Sequence, residues 1–155
     1  TITVTTTDGE KTATCSVTVV PTGTITSSPI DLNGDSTIVF KGVSYSKAIK
    51  AGTGKVAGSA SISVPSDAKI LVFYIAGWNG ESVKVSASGN GLTSKTLTLT
   101  SDSGVSGNGP TSTIESTTES SFKFEIDVSS LTGGTLSLAA TSGKRFVVWN
   151  ASYTK

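Results

Sequence analysis

Trp78 and Asn79 follow an apolar run, and their side chains could bind a sugar together. An indole ring can cover the apolar face of a pyranose, while an amide hydrogen-bonds to its hydroxyl groups. The alternative is structural. Trp78 would close one end of the core, and Asn79 and Gly80 would form a hairpin turn, because Asn-Gly is a strong turn signal. The residue types favour the turn, and sugar binding is the functional alternative.

A second candidate pair, Trp149 and Tyr153, lies on one face of the last predicted strand, because side chains alternate along an extended chain. If Phe146 and Val148 face the core, Trp149 and Tyr153 form an outward aromatic surface suited to glycans. Otherwise the strand is covered on both faces, or the face that carries Trp149 is the core face. Tyr45, between two serines, is either an edge packing residue or an aromatic of a binding loop.

Oxygen-bearing side chains recur at every second position in Asp31, Asn33 and Asp35, as they do at the start of an EF-hand calcium loop. The match then ends, because Ser36 replaces the required glycine and Gly42 replaces the bidentate glutamate. Two interpretations follow. The segment either holds a structural calcium ion or forms an Asx turn before the next strand.

Several classes of function are excluded by composition. The chain has no histidine and one cysteine, which excludes His-based catalysis, the usual zinc sites and an intrachain disulfide. A net charge of +1 supplies no basic face for nucleic acid, and no apolar run of about 18 residues exists to cross a membrane. The carboxylates of Glu81, Glu115, Glu119, Glu125 and Asp127 show no spacing that would pair two of them for glycoside hydrolysis. We therefore expect a protein that is not an enzyme.

Alternation of residue types predicts an all-β chain with no significant helix. Residues 1–20 read as a β-hairpin around Asp8-Gly9, and residues 21–28 read as a linker. Residues 29–155 then form a two-sheet antiparallel β-sandwich. Its predicted strands are 36–41, 58–64, 69–76, 82–88, 96–100, 121–128, 134–140 and 145–153.

Three of these segments carry more specific predictions. The run 70–76 is apolar throughout, so we expect a central strand covered on both faces. In 121–128 we expect Phe122, Phe124, Ile126 and Val128 to share one buried face. The polar, glycine-rich segment 101–118 is predicted to be a long loop.

The first 20 residues, TITVTTTDGEKTATCSVTVV, resemble the last two strands of a bacterial Ig-like (BIG) repeat. The resemblance rests on the tandem threonines, the Asp8-Gly9 turn and the closing T-C-x-V-T-V. BIG repeats are common modules of bacterial surface proteins. The resemblance implies that these strands have lost their own sheet, so they are disordered, pair with the next domain, or pair with another chain through an open edge.

The rest of the chain resembles jelly-roll sandwich domains found beside BIG repeats in surface proteins of gut anaerobes. The matching segments are 40–42, 49–53 with Lys55 and 57–59, 75–80 and 144–152. Such domains are similar to carbohydrate-binding modules and galactose-binding-like sandwiches, many of which are accessory modules of glycan-handling proteins. The resemblance implies a fold of that kind, and related sandwiches bind sugars, bind proteins or space other domains.

Taken together, these observations predict a non-catalytic accessory module of a larger bacterial secreted or cell-surface protein. We expect it to bind carbohydrate or support adhesion through Trp78, Asn79, Trp149 and Tyr153, with no cofactor beyond the calcium considered above. Its partners would be a glycan or another cell-surface ligand and the neighbouring domains of the same polypeptide. The alternative is a structural spacer or a protein–protein interaction domain. Because the chain lacks methionine, we expect it to be a fragment or a processed chain.

Overall fold

The computed structural model of the chain describes residues 2–5, 12–15, 26–78, 82–99, 105–106, 111–116, 118–141 and 143–155. At the N-terminal end, β1 (Ile2–Thr5) pairs with β2 (Thr12–Cys15) in antiparallel register, as the strands of a hairpin do. The predicted Asp8-Gly9 turn and most of the linker at 21–28 lie outside the described residues.

The remaining described elements are almost all strands. They are β3 (Ser28–Ile30), β4 (Ser36–Phe40), β5 (Val43–Ala51), β6 (Ser59–Ser63), β7 (Ile70–Gly77), β8 (Val83–Ser88), β9 (Lys95–Leu99), β10 (Val105–Ser106), β11 (Thr111–Ile114), β12 (Lys123–Asp127), β13 (Thr135–Ala140) and β14 (Phe146–Thr154). One short 3-10 helix, Glu119–Ser121, precedes β12. No helix in the described ranges is long and apolar enough to cross a membrane.

These strands form two sheets. The larger has the order β10-β11-β4-β5-β14-β7-β12, with β3 also paired to β14, and the smaller has the order β6-β13-β8-β9. The prediction of an all-β, two-sheet, sandwich-like domain is therefore confirmed. One pairing departs from the predicted antiparallel arrangement, because β11 runs parallel to β4. Both β10 and β11 come from the segment 101–118, which its polar composition had marked as a loop.

The first core lies between the two sheets. Leu71, Phe73 and Ile75 of β7 face it from the larger sheet, while Val85 and Leu138 face it from the smaller sheet. These residues alternate along their strands, because an extended backbone points successive side chains to opposite faces. The same alternation is what made the strands visible in the sequence.

A second core lies on the other face of the larger sheet, around the ring of Trp149. The ring centroids of Phe40, Tyr74 and Phe122 lie 5.7, 5.8 and 5.9 Å from that of Trp149. In the sheet, β4 and β7 are separated by two strands, which in a flat sheet would place them about 14 Å apart. The centroids of Phe40 and Tyr74 are only 6.1 Å apart. The larger sheet therefore curls so that β4 covers the outer face of β7 and β14.

Two residues with left-handed backbone help to produce this curl. Lys47 in β5 has a φ of 59°, and Asn150 in β14 has a φ of 50°. Near them the pairing of β5 with β4 and of β14 with β7 shifts register. Such β-bulges bend a strand and increase its twist. As a result, β5 pairs with β4 in its first half and with β14 in its second half.

All eight strands predicted in the main domain are present, and their ends differ from the prediction by at most two residues. The apolar run 70–76 forms most of β7 and contributes to both cores, as expected. The strands that were not predicted are β3, β5, β10 and β11.

Phe122 is not on the predicted face of β12. The sequence groups it with Phe124, Ile126 and Val128, and the last two do lie in the first core. Phe122 instead follows the 3-10 helix and has a near-helical backbone, with φ of −116° and ψ of −24°. Because the extended alternation starts only after it, its ring enters the second core.

We predict that Phe40→Ala lowers the free energy of unfolding by about 3–5 kcal/mol, because it leaves a cavity among the rings of the second core. Val43→Ala is the matched control at the other end of the same turn, since Val43 is 51% exposed and should change stability by no more than about 0.5 kcal/mol. Urea unfolding of both variants measures the difference. Equal stability of the two variants would show that β4 does not cover the outer face of β7 and β14 in solution.

Candidate functional site

The predicted aromatic surface on β14 is not formed. Trp149 is 0% exposed in the second core, whereas Tyr153 is half-buried against the first core on the opposite side of the sheet. The bulge at Asn150 is the reason, because the extra residue moves Ala151 and Tyr153 to the face that Val148 occupies. Near Trp149 the strand is covered on both faces, so this ring cannot serve as a surface for a glycan.

The segment around Asp31 forms an Asx turn packed against β5. The Asp31 carboxylate accepts a hydrogen bond from the backbone N–H of Asn33 at 2.9 Å and forms an ion pair with Lys47. The hydrogen bond from Lys47 lowers the pKa of Asp31. A Cβ atom on Gly34 would lie 2.0 Å from the carbonyl oxygen of Ala48, so only glycine permits this close approach.

The same segment shows little of the arrangement that calcium requires. Calcium takes six to eight oxygen ligands. The Asp31 carboxylate is paired with Lys47, and that of Asp35 accepts a hydrogen bond from the Ser36 hydroxyl at 3.1 Å. Within the described ranges, no three His, Cys, Asp or Glu side chains group as metal ligands would. The geometry favours the Asx turn.

A groove of about 470 Å³ opens where β3 and β5 meet the same edge of β14. The pairing of β5 with β14 reaches Val148, and that of β3 starts at Ala151, so Asn150 lies in the opening between them. We name this hollow the Tyr45 groove. The residues that give it its hydrogen-bonding and aromatic character are Asp31, Ser44, Tyr45, Ser46, Lys47 and Asn150.

The Tyr45 groove combines three kinds of chemistry within one hollow. The ring of Tyr45 is half-buried and packs against the second core, which holds it in place. Asn150 is exposed, and its amide can both donate and accept hydrogen bonds. The ion pair of Asp31 and Lys47 adds a charged acceptor and a charged donor at the wall. Apolar surface beside convergent polar groups is typical of sites for small polar ligands.

A second hollow, of about 420 Å³, adjoins the Tyr45 groove and shares Pro29, Asn150 and Ala151 with it. Tyr74 lines this second hollow, and its hydroxyl donates a hydrogen bond to the Glu119 carboxylate. Burial raises the pKa of Tyr74 to about 12, and the bond to Glu119 adds to the shift. Tyr74 is therefore a neutral, positioned hydroxyl at physiological pH.

Glu119 is held from two sides. It accepts from the Tyr74 hydroxyl and from the Lys41 ammonium, the latter at 3.0 Å, and these two hydrogen bonds lower its pKa. Glu125 pairs with Lys123 at 3.0 Å on the exposed face of β12. Neither the Tyr45 groove nor the adjoining hollow has two carboxylates among its described lining residues. The paired carboxylates that a glycosidase needs are thus not brought together at either place.

Trp78 lies at the end of β7 with 6% of its surface exposed, and it lines a separate cleft of about 290 Å³. We name this hollow the Trp78 cleft. The Lys50 ammonium lies over the indole ring at 4.7 Å from the centroid, and the Arg145 guanidinium carbon lies at 5.5 Å. Cations therefore lie where a sugar would stack. Asn79 and Gly80, predicted as either ligand or turn, are outside the described residues.

No protein-family model matches the chain, and no curated protein is similar enough to count as a relative. The likeness of the first 20 residues to a BIG repeat thus remains a resemblance between short segments.

The residues that line these hollows were mostly missed by sequence reasoning. The sequence gives no binding signal for Lys47, Lys50, Arg145 or Asn150. For Tyr45 it allows either a packing role at a sheet edge or a binding role in a loop. Alternation around Tyr45 gives a weak strand signal, because the register breaks at the bulge two residues later. No local pattern in the sequence predicts that Lys47 and Asn150 adopt a left-handed backbone and open a groove.

We predict that Tyr74 ionises at about pH 12, because burial and the Glu119 carboxylate both oppose the phenolate. Stability should therefore fall as the pH rises from about 10, where an unfolded tyrosine ionises, to about 12. Tyrosinate absorbance during alkaline titration measures the pKa. Glu119→Gln should lower the pKa of Tyr74. A Tyr74→Phe variant that still shows an ionisation step at about pH 12 would contradict the assignment.

We predict that calcium leaves the thermal unfolding midpoint unchanged, because Lys47 already neutralises the Asp31 carboxylate. The midpoint is measured with excess calcium and with a chelator, for the natural sequence and for Asp31→Asn. A midpoint that rises with calcium in the natural sequence, and not in Asp31→Asn, would instead establish the calcium site at Asp31, Asn33 and Asp35.

Proposed function

We propose that this domain is a non-catalytic module that binds carbohydrate, and that the Tyr45 groove is its binding site. The observation that carries the proposal is the groove itself: a hollow of about 470 Å³ that joins a fixed tyrosine ring to an exposed amide and an ion pair. Sugars present an apolar face of C–H groups and a rim of hydroxyls. A ring and several donors and acceptors within one hollow suit both parts.

The backbone at Asn150 supports the proposal. A left-handed φ of 50° is uncommon for a residue other than glycine, although asparagine tolerates it better than most. The bulge places the Asn150 side chain in solvent, between the end of β3 and the bend of β5 at Lys47, and not in a core. Such bulges commonly aim a side chain at a site.

The distribution of carboxylates favours binding over catalysis. Asp31 is the carboxylate among the described lining residues of the Tyr45 groove, and Lys47 is paired with it. Glycoside hydrolysis needs a second carboxyl group across the bond to be cleaved. The groove therefore suits recognition of hydroxyl groups.

The setting of the module is proposed from the sequence resemblances. Residues 1–20 resemble the end of a BIG repeat, and segments of 40–152 resemble jelly-roll domains that accompany such repeats. On this basis the domain is a module of a larger bacterial secreted or cell-surface protein. Its groove would contribute to adhesion by holding a glycan of a surface. A spacer or protein-interaction role is the alternative, and the experiment below separates it from glycan binding.

We predict that the folded protein binds one or more glycans on a broad array, and that Tyr45→Ala weakens this binding about tenfold or more, equivalent to about 1.4 kcal/mol. Asn150→Gly should also weaken it, because glycine keeps the left-handed backbone and removes the amide. Affinities for the best glycan are then measured by calorimetry.

Tyr153→Phe is the matched control, because Tyr153 packs against the first core and does not line the Tyr45 groove. It should bind as the natural sequence does. Silence of a folded sample across the array would favour the spacer or protein-interaction alternative. Binding that survives Tyr45→Ala and Asn150→Gly would move the carbohydrate site elsewhere on the domain.

A further inference from the structure

The Trp78 cleft brings two cations together through the register of the larger sheet. Lys50 of β5 is paired with Val147 of β14, and Arg145 lies two residues before Val147. In an extended chain, residues two apart point to the same face, so Arg145 and Lys50 are diagonal neighbours. Trp78 reaches the same place from β7, where its backbone N–H donates to the carbonyl oxygen of Arg145 at 3.1 Å.

The two charges are close enough to repel each other. Both lie over one indole ring, with the Lys50 ammonium at 4.7 Å and the Arg145 guanidinium carbon at 5.5 Å from its centroid. They are thus within roughly the 10 Å over which salt screens charges at ordinary ionic strength. The electron-rich face of the ring offsets part of this repulsion. A bound negative charge would offset it further.

The rest of the cleft wall is suited to a small ligand. Residues 52–54 form its other side, and Thr53 fixes this loop by accepting hydrogen bonds from the backbone N–H groups of Lys55 and Val56 at 3.3 and 3.1 Å. No carboxylate is among the described lining residues of the cleft.

We infer that the Trp78 cleft binds an oxyanion, the carboxylate or sulfate group of a small ligand, between Lys50 and Arg145. The guanidinium presents two parallel N–H groups that match a carboxylate or sulfate, and the ammonium supplies a second positive charge. Such an anion could be carried on an acidic sugar or be free in solution. The inference does not rest on the Tyr45 groove, because the two hollows share no described lining residue.

The experiment is an NMR titration of the whole protein that follows the indole N–H signals of its two tryptophans. Trp149 is fully buried in the second core and serves as the internal reference for Trp78. Three probes are added separately: glucuronate, glucose and inorganic sulfate. We expect the Trp78 signal to move with glucuronate or sulfate and not with glucose. We also expect the affinity to fall as salt is added, because the attraction is electrostatic.

The variants assign the effect to the two cations. Lys50→Gln and Arg145→Gln should each weaken binding about tenfold or more, while Lys84→Gln, which removes an exposed lysine of β8, should not. Arg145→Lys keeps the charge, removes the two parallel N–H groups and should bind with intermediate affinity. It also tests the site if Arg145→Gln does not fold.

The outcomes separate the sources of the anion. Tighter binding of glucuronate than of sulfate would identify an acidic sugar as the ligand, and equal binding would identify the bare oxyanion. No movement of the Trp78 signal with either anion, equal movement with glucose, or binding that survives the double variant Lys50→Gln, Arg145→Gln would overturn the inference. A silent glycan array would not overturn the inference, because inorganic sulfate tests the cleft without a sugar. Array binding is assigned to the Tyr45 groove only where Tyr45→Ala weakens it, and to the Trp78 cleft only where Lys50→Gln or Arg145→Gln weakens it.

Discussion

The structure depends on the burial of β7 and β14 on both faces. These two strands supply side chains to the first core on one side and to the aromatic core around Trp149 on the other. A single flat pair of sheets would leave that second face in water, at a cost of roughly 1.5–3 kcal/mol for each large apolar side chain left exposed. The curl of the larger sheet, with Phe40 over Trp149 and Tyr74, removes this cost.

The bends that produce the curl also open the Tyr45 groove. Bending at Lys47 lets β5 leave β4 and join β14, and the bulge at Asn150 lies between this bend and the end of β3. The Tyr45 groove lies at that separation, whereas the Trp78 cleft lies where β5 and β7 end and β14 begins. The bends that close the second core thus leave the polar side chains of Lys47 and Asn150 outside both cores. These two residues are therefore available to contact a ligand in the Tyr45 groove.

The regular strands could be predicted from the sequence because alternation is a local property. Segments such as 70–76 and 134–140 carry their pattern within a few residues, and they form β7 and β13. The residues at bulges could not be predicted, because a shift of one position reverses every later side chain. Tyr153 was assigned to the face of Trp149 for this reason. Phe122 was misplaced because a single turn of 3-10 helix precedes β12.

The position of β14 in the chain has a consequence for biosynthesis. It is the last described strand of the domain, and it joins partners as distant in sequence as Ser28, which is opposite Tyr153. Neither core can close until the ribosome has released Phe146–Thr154, so earlier strands must wait with apolar faces exposed to water. Pairings between distant segments also fold slowly. A chain that emerges through a translocation pore would face the same delay, and a stall before β14 would leave an aggregation-prone intermediate.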